Sequence, residues 1–148
     1  MALNSDNKPI FFSLPDHASG SADENDSAGS WNSDTNGIEI FTAPTNGAAV
    51  TQIIVTTDAA ANEDIFLYIL DGSEIINLGR FTIPDLSGTD GTEPVYNLLT
   101  NMTGLPTDQN SNSFLPVKDG AILKFSLQGT LGAGEVMEIA CSFMKTDS

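Results

Sequence analysis

Asp64-Ile65-Phe66-Leu67-Tyr68-Ile69-Leu70, then Asp71-Gly72-Ser73, then Glu74-Ile75-Ile76-Asn77-Leu78-Gly79-Arg80-Phe81-Thr82-Ile83 is the stretch that decides the fold. Its β-branched and aromatic residues suit a pleated, packed surface. Asp-Gly between two apolar runs supplies the positive φ that a tight hairpin turn demands. Neither run carries a cluster of reactive side chains, so the sequence speaks for a β scaffold before it speaks for chemistry.

The same signal recurs on both sides of the hairpin. Upstream, Ile38 to Phe41 is followed by the turn-forming Ala43-Pro44-Thr45-Asn46-Gly47 and the β-branched run Val50 to Thr57. Downstream, Ala121, Leu123, Phe125 and Leu127 alternate with Ile122, Lys124, Ser126 and Gln128, which predicts a strand with one face buried. In Glu135 to Met144 the alternation places Met137, Ile139, Cys141 and Phe143 inward, with Glu138 and Ser142 outward. A one-residue slip would expose the whole inward row, so register is strongly specified.

One segment breaks the period of two. Val95, Leu98, Leu99 and Met102 fall at helical spacing, Gly104 follows and Pro106 lies beyond, which predicts one short helix near 95–103. About seven or eight short strands with frequent turn signals predict an all-β fold, an antiparallel β-sandwich of jelly-roll type. A parallel sheet would need long crossover helices, and none is encoded.

Residues 1–36 differ in composition from residues 37–148, the predicted sandwich domain. Ser, Asp, Asn, Gly and Ala dominate, especially across Ala18 to Asn36. Such a stretch offsets little of its ordering entropy by burial and is expected to be an extended, polar, mobile arm. Two apolar islands interrupt it: Ile10-Phe11-Phe12-Ser13-Leu14 between two prolines, readable as a short edge strand, and Trp31. Large apolar residues in a polar tail lack a strand partner of their own. Ile10, Phe11, Phe12 and Trp31 are therefore the candidate interface residues, either packing back as a flap or reaching a neighbouring subunit.

At 148 residues the chain is long enough to bury a core as one domain, and its single cysteine excludes an internal disulfide. Folding in a reducing cytoplasm is the simpler expectation. No stretch approaches a bilayer span, and the start lacks the pattern of an export signal. Twenty acidic against five scattered basic residues give a net charge of −15. Phosphate backbones are held by clustered Lys and Arg, so nucleic acid is not an expected partner, and without an apolar span neither is a membrane. Identical acidic subunits also need screening before they associate.

Catalytic patterns are missing. His17 is the only histidine, stands in the polar arm and is expected to be an exposed loop residue. Cys141 on an inward strand face is expected to be an inert core thiol. Metal-dependent jelly-roll enzymes group histidines with carboxylates, and one histidine is too few. No enzyme and no cofactor is expected. Calcium alone has candidate hard ligands, in Asp23-Glu24-Asn25-Asp26 and Asp34-Thr35-Asn36-Gly37, although neither completes a twelve-residue binding loop.

Taken in order, Asn36-Gly37-Ile38-Glu39-Ile40-Phe41-Thr42-Ala43, the run Val50 to Thr57, the strand Ile65 to Leu70 with Asp71-Gly72, and Leu78-Gly79-Arg80 resemble small virion proteins of tailed bacteriophages. Leu98-Leu99, Gly104-Leu105-Pro106, Phe114-Leu115-Pro116, Gly120 and the strand Leu123 to Leu127 look like the same pattern. The resemblance implies a capsid decoration, or cement, protein. Such a protein folds in the host cytoplasm, associates as a homotrimer on the outer capsid surface and staples the major capsid protein beneath it. The alternative is a glycan- or receptor-binding β-sandwich module of a phage tail or fibre.

Overall fold

The computed structural model describes residues 11–147. Nine strands lie among them: β1 (Phe11–Asp23), β2 (Ile38–Thr42), β3 (Ala48–Thr57), β4 (Glu63–Asp71), β5 (Glu74–Ile83), β6 (Tyr96–Asn97), β7 (Leu115–Val117), β8 (Ile122–Leu127) and β9 (Val136–Asp147). One sheet runs β1-β9-β3-β6 with β7 also on β3, the other β2-β8-β4-β5, and every pairing is antiparallel. The pairs nest. β4 meets β5, β3 meets β6 and β7, β2 meets β8, and β1 meets β9, which is the winding of a jelly roll.

At the centre of the nest, Asp71 pairs with Glu74, leaving Gly72-Ser73 as a two-residue turn with Gly72 at φ 63°. Further along the hairpin Leu78 is an extra residue in β5, between Asn77 opposite Tyr68 and Gly79 opposite Leu67; Gly79 takes φ 133°. This bulge bends the free edge of the second sheet.

The alternation in the last two long strands is realised as read. Leu123, Phe125 and Leu127 of β8 and Met137, Ile139, Cys141 and Phe143 of β9 are buried against Val50, Ile53, Val55, Ile65 and Leu67. The Phe41 and Phe143 rings stack with centroids 4.6 Å apart, joining β2 of one sheet to β9 of the other. Each such side chain removed from water contributes roughly 1.5–3 kcal/mol.

Two expectations need correction. The polar stretch from residue 11 does not run as a loose arm. It forms β1, a strand of thirteen residues paired with β9 from Phe11 opposite Asp147 to Asp23 opposite Val136. His17 accordingly sits on a strand, not in a loop. The inward positions of β1 are Ala18, Gly20 and Ala22, because β1 passes close to β2: a Cβ added at Gly20 would run into the carbonyl oxygen of Glu39. Small inward residues leave a period of two with almost no hydrophobic signature.

The helix predicted near 95–103 contracts to one 3-10 turn, Leu99–Asn101. Tyr96 and Asn97 are drawn into β6 by the edge of β3, where they pair with Val55 and Ile54, and Leu98 N–H donates to the Ile53 carbonyl at 2.8 Å. Ladder bonds to a preformed edge outweigh a weak local helical preference.

Replacing Gly20 with valine should destabilise the fold by about 1–3 kcal/mol in urea denaturation, since a larger residue has no room against β2. Burial pushes the Cys141 thiol up to about 11. Native protein should therefore leave this thiol unreacted by a disulfide reagent at neutral pH, and unfolded protein should react promptly.

Candidate interaction surface

Residues 24–37 cross the outer face of the β2-β8-β4-β5 sheet as a strap. That face carries Lys124 and Ser126 of β8 and Tyr68 of β4, which alternate with core residues; Tyr68 and Lys124 are register partners. Gly29 N–H donates to the Leu127 carbonyl at 2.8 Å. Gly29 lies directly over Ser126, where a Cβ would collide with the serine Cβ. Asn36, at φ 62°, donates from Nδ2 to the Ala28 carbonyl at 2.9 Å and so closes the strap on itself.

The strap is latched by one carboxylate. Asp34 Oδ1 accepts from the Tyr68 hydroxyl at 2.7 Å and lies 2.6 Å from Lys124 Nζ. Tyr68 is fully buried and the Lys124 side chain is only 14% exposed, so a face that alternation alone would leave wet is dry where the strap lies. Burial works against the charged form of Asp34. The hydrogen bonds from Lys124 and Tyr68, with the Lys124 charge, outweigh it and hold the carboxyl below the usual aspartate range. Burial, then the bond to Asp34 and its charge, raise the Tyr68 hydroxyl far above its ordinary value. Ser126, also fully buried, has no hydrogen-bond partner for its Oγ among the described residues.

Trp31 rides on this strap between the bridged residues Ser30 and Ser33 and is 56% exposed. Ile10 lies outside the described residues. The backbones of Phe11 and Phe12 open β1, opposite Asp147 and Thr146. The four residues singled out from the sequence are thus divided: the phenylalanines belong to one sheet, and Trp31 stands over the other. Sequence reading missed the latch because Asp34, Tyr68 and Lys124 come from three separate segments. The Asp34-Thr35-Asn36-Gly37 run marked the place but suggested another ligand.

His17 is exposed on the outer face of β1, whereas Cys141 is buried on the core side of β9, so they do not form a nucleophile and base pair. His17, Ala18, Ser19, Gln52, Ile54, Glu138, Ala140, Cys141 and Ser142 line a shallow groove across β1, β9 and β3, in which Glu138 is the one carboxylate. The acids around Asp23 are engaged with backbone: Asp23 N–H donates to Asp26 Oδ2 and Asn25 N–H to Asp23 Oδ1, both at 2.8 Å, and Gly134 N–H donates to Glu24 Oε2 at 2.7 Å. Among the described residues no group of three or more His, Cys, Asp or Glu is placed to hold a metal ion.

Every lysine and arginine among the described residues faces a carboxylate: Arg80 with Asp64, Lys118 with Asp71, Lys124 with Asp34 and Lys145 with Asp16. No helix among them is long and apolar enough to cross a membrane.

These features define a jelly-roll sandwich with a latched strap over one sheet and a shallow groove across the other. No protein-family model and no curated protein matches the sequence. Among solved structures, the fold is similar to that of a chain in the acid-stable capsid of Helicobacter pylori bacteriophage KHP30. That likeness has a TM-score of 0.56 and 9% identity, covering 94% of this chain and 95% of that one. A chain of the cyanophage Pam1 capsid asymmetric unit aligns with a TM-score of 0.43 and 13% identity, over 88% of this chain and 84% of that one. At 9% identity the first likeness is one of fold, and the second is too loose to argue from.

Asp34→Asn should lower stability at neutral pH by about 1 kcal/mol, the modest value reflecting partial exposure of the pair. Because the folded state depresses the Asp34 pKa, its contribution is present above the ordinary aspartate range and is lost as pH falls through the depressed value. The gap between wild type and variant in urea titrations should narrow accordingly toward low pH.

Proposed function

We propose that the chain is a structural protein of a tailed-bacteriophage virion, bound as a homotrimer to the outer surface of the capsid and contacting the major capsid protein. The observation that carries this reading is the near end-to-end overlap with a capsid chain of phage KHP30, 94% of this chain on 95% of that one. It agrees with the phage-like order of strands and turn dipeptides in the sequence.

The surface chemistry supports it. With the described cations already matched to carboxylates, no basic stripe remains for a genome, and the net charge of −15 repels one. The groove over β1, β9 and β3 has one carboxylate, Glu138, among its lining residues, so a contact between copies there brings few like charges together. Three weak capsid contacts linked in a trimer give avidity without any further chemistry. The protein acts as a non-enzyme, without a cofactor, after folding in the host cytoplasm. A sugar-binding module would need several exposed rings, whereas Tyr68 is buried and Trp31 is the one exposed Phe, Tyr or Trp among residues 16–145.

Light scattering on the purified full chain should give three times the 15.6 kDa chain mass, with the trimer favoured by added salt. The protein should co-sediment with cognate capsids assembled without it. A chain that stays monomeric and leaves those capsids bare overturns the proposal, and selective binding on a glycan array would favour the tail or fibre module instead.

A further inference from the structure

Trp31 is an expensive residue to leave in water. The other exposed large apolar residues among residues 16–145, Ile76, Val95 and Val136, are aliphatic and sit on separate elements. Trp31 is the sole tryptophan of the chain, and its setting is built. Gly29 anchors the strap to β8 before it, the Asp34 latch to Tyr68 and Lys124 holds it after, and the Asn36 to Ala28 bond ties the two sides together. A ring presented on a backbone fixed at both ends loses little further freedom on docking, which is how preorganised anchors gain affinity. Tryptophan, with tyrosine and arginine, is enriched among interface hot spots.

Charge selects the partner. Asp23 at the end of β1 and Glu24 and Asp26 on the strap precede Trp31, and no lysine or arginine among the described residues pairs with them, each facing another carboxylate. A second copy of this chain would bring the same excess of acid to the contact. We propose that the strap presents Trp31 to an apolar pocket rimmed by lysine or arginine on another protein; on the reading above, which supplies the partner's identity, that protein belongs to the capsid shell. The carboxylates guide the approach and the ring carries the affinity. Asp34 is a positioning residue, acting through the strap.

The test uses full-length protein and cognate capsids assembled without it. Trp31→Ala should keep the wild-type melting temperature and solution mass yet bind the capsids about thirtyfold more weakly or worse, the size of a hot spot. Trp31→Phe should recover part of that loss. Asp34→Asn, with Trp31 intact, should weaken binding by a smaller factor and raise local mobility of the Trp31 ring in time-resolved anisotropy of the free chain. Wild-type binding that survives Trp31→Ala overturns the anchor while leaving the capsid role standing. Wild-type protein that does not bind the capsids overturns that role, and with it the partner named here. If Trp31→Ala instead splits an oligomer into single chains, the occupant is a second copy and the basic-rimmed pocket is wrong.

Discussion

Everything in this molecule depends on the last strand reaching the first. β9 lies between β1 and β3, hydrogen-bonded to both, and supplies Met137, Ile139, Cys141 and Phe143 to the core. Until it arrives, β1 has no neighbour in its sheet and Phe41 lacks the ring that it stacks on. Nested pairing also orders the cost of closure. The β4–β5 hairpin closes over a two-residue turn, and each pair outside it spans a longer loop, so chain entropy favours zipping outward from the hairpin. The stretch most legible in the sequence is thus also the most local contact in the fold.

The two sheets meet their surroundings differently. The outer face of the β2-β8-β4-β5 sheet is partly roofed by the chain itself, and a carboxylate, an ammonium and a phenol converge beneath that roof. The outer face of β1, β9 and β3 carries the open groove, floored by small residues such as Ser19, Ala140 and Ser142. A strongly acidic protein thereby keeps one face covered by its own backbone and another low in charge. Lys124 is spent on the latch, the other described cations face carboxylates at the surface, and the surplus of acid is left outside.

What could be read in advance follows from how each signal arises. The strands Val50 to Thr57, Leu123 to Leu127 and Met137 to Phe143 announce themselves because their inward residues are large, and burial of large residues writes the period into composition. β1 was hidden for the opposite reason: proximity to β2 admits only Ala18, Gly20 and Ala22 inward, and an alanine-serine-glycine stretch looks like a linker. The short helix failed at Tyr96 and Asn97, where an unpaired edge of β3 offered better bonds than a helical turn. Of the interaction surface, Trp31 was legible as an oddity of composition. The latch was not, since a contact among Asp34, Tyr68 and Lys124 exists only after three segments have been brought together.

The extra residue at Leu78, with Gly79 at φ 133° beside it, has a bearing on solubility. β5 is the outermost strand of its sheet and carries Ile75 and Ile76, a composition that invites edge-to-edge addition of strands from other molecules. A bulged, twisted margin followed by the charged Arg80 offers such a visitor no straight ladder to extend. Cross-β ribbons grow by extending a straight ladder of this kind, so the bulge works against that mode of association.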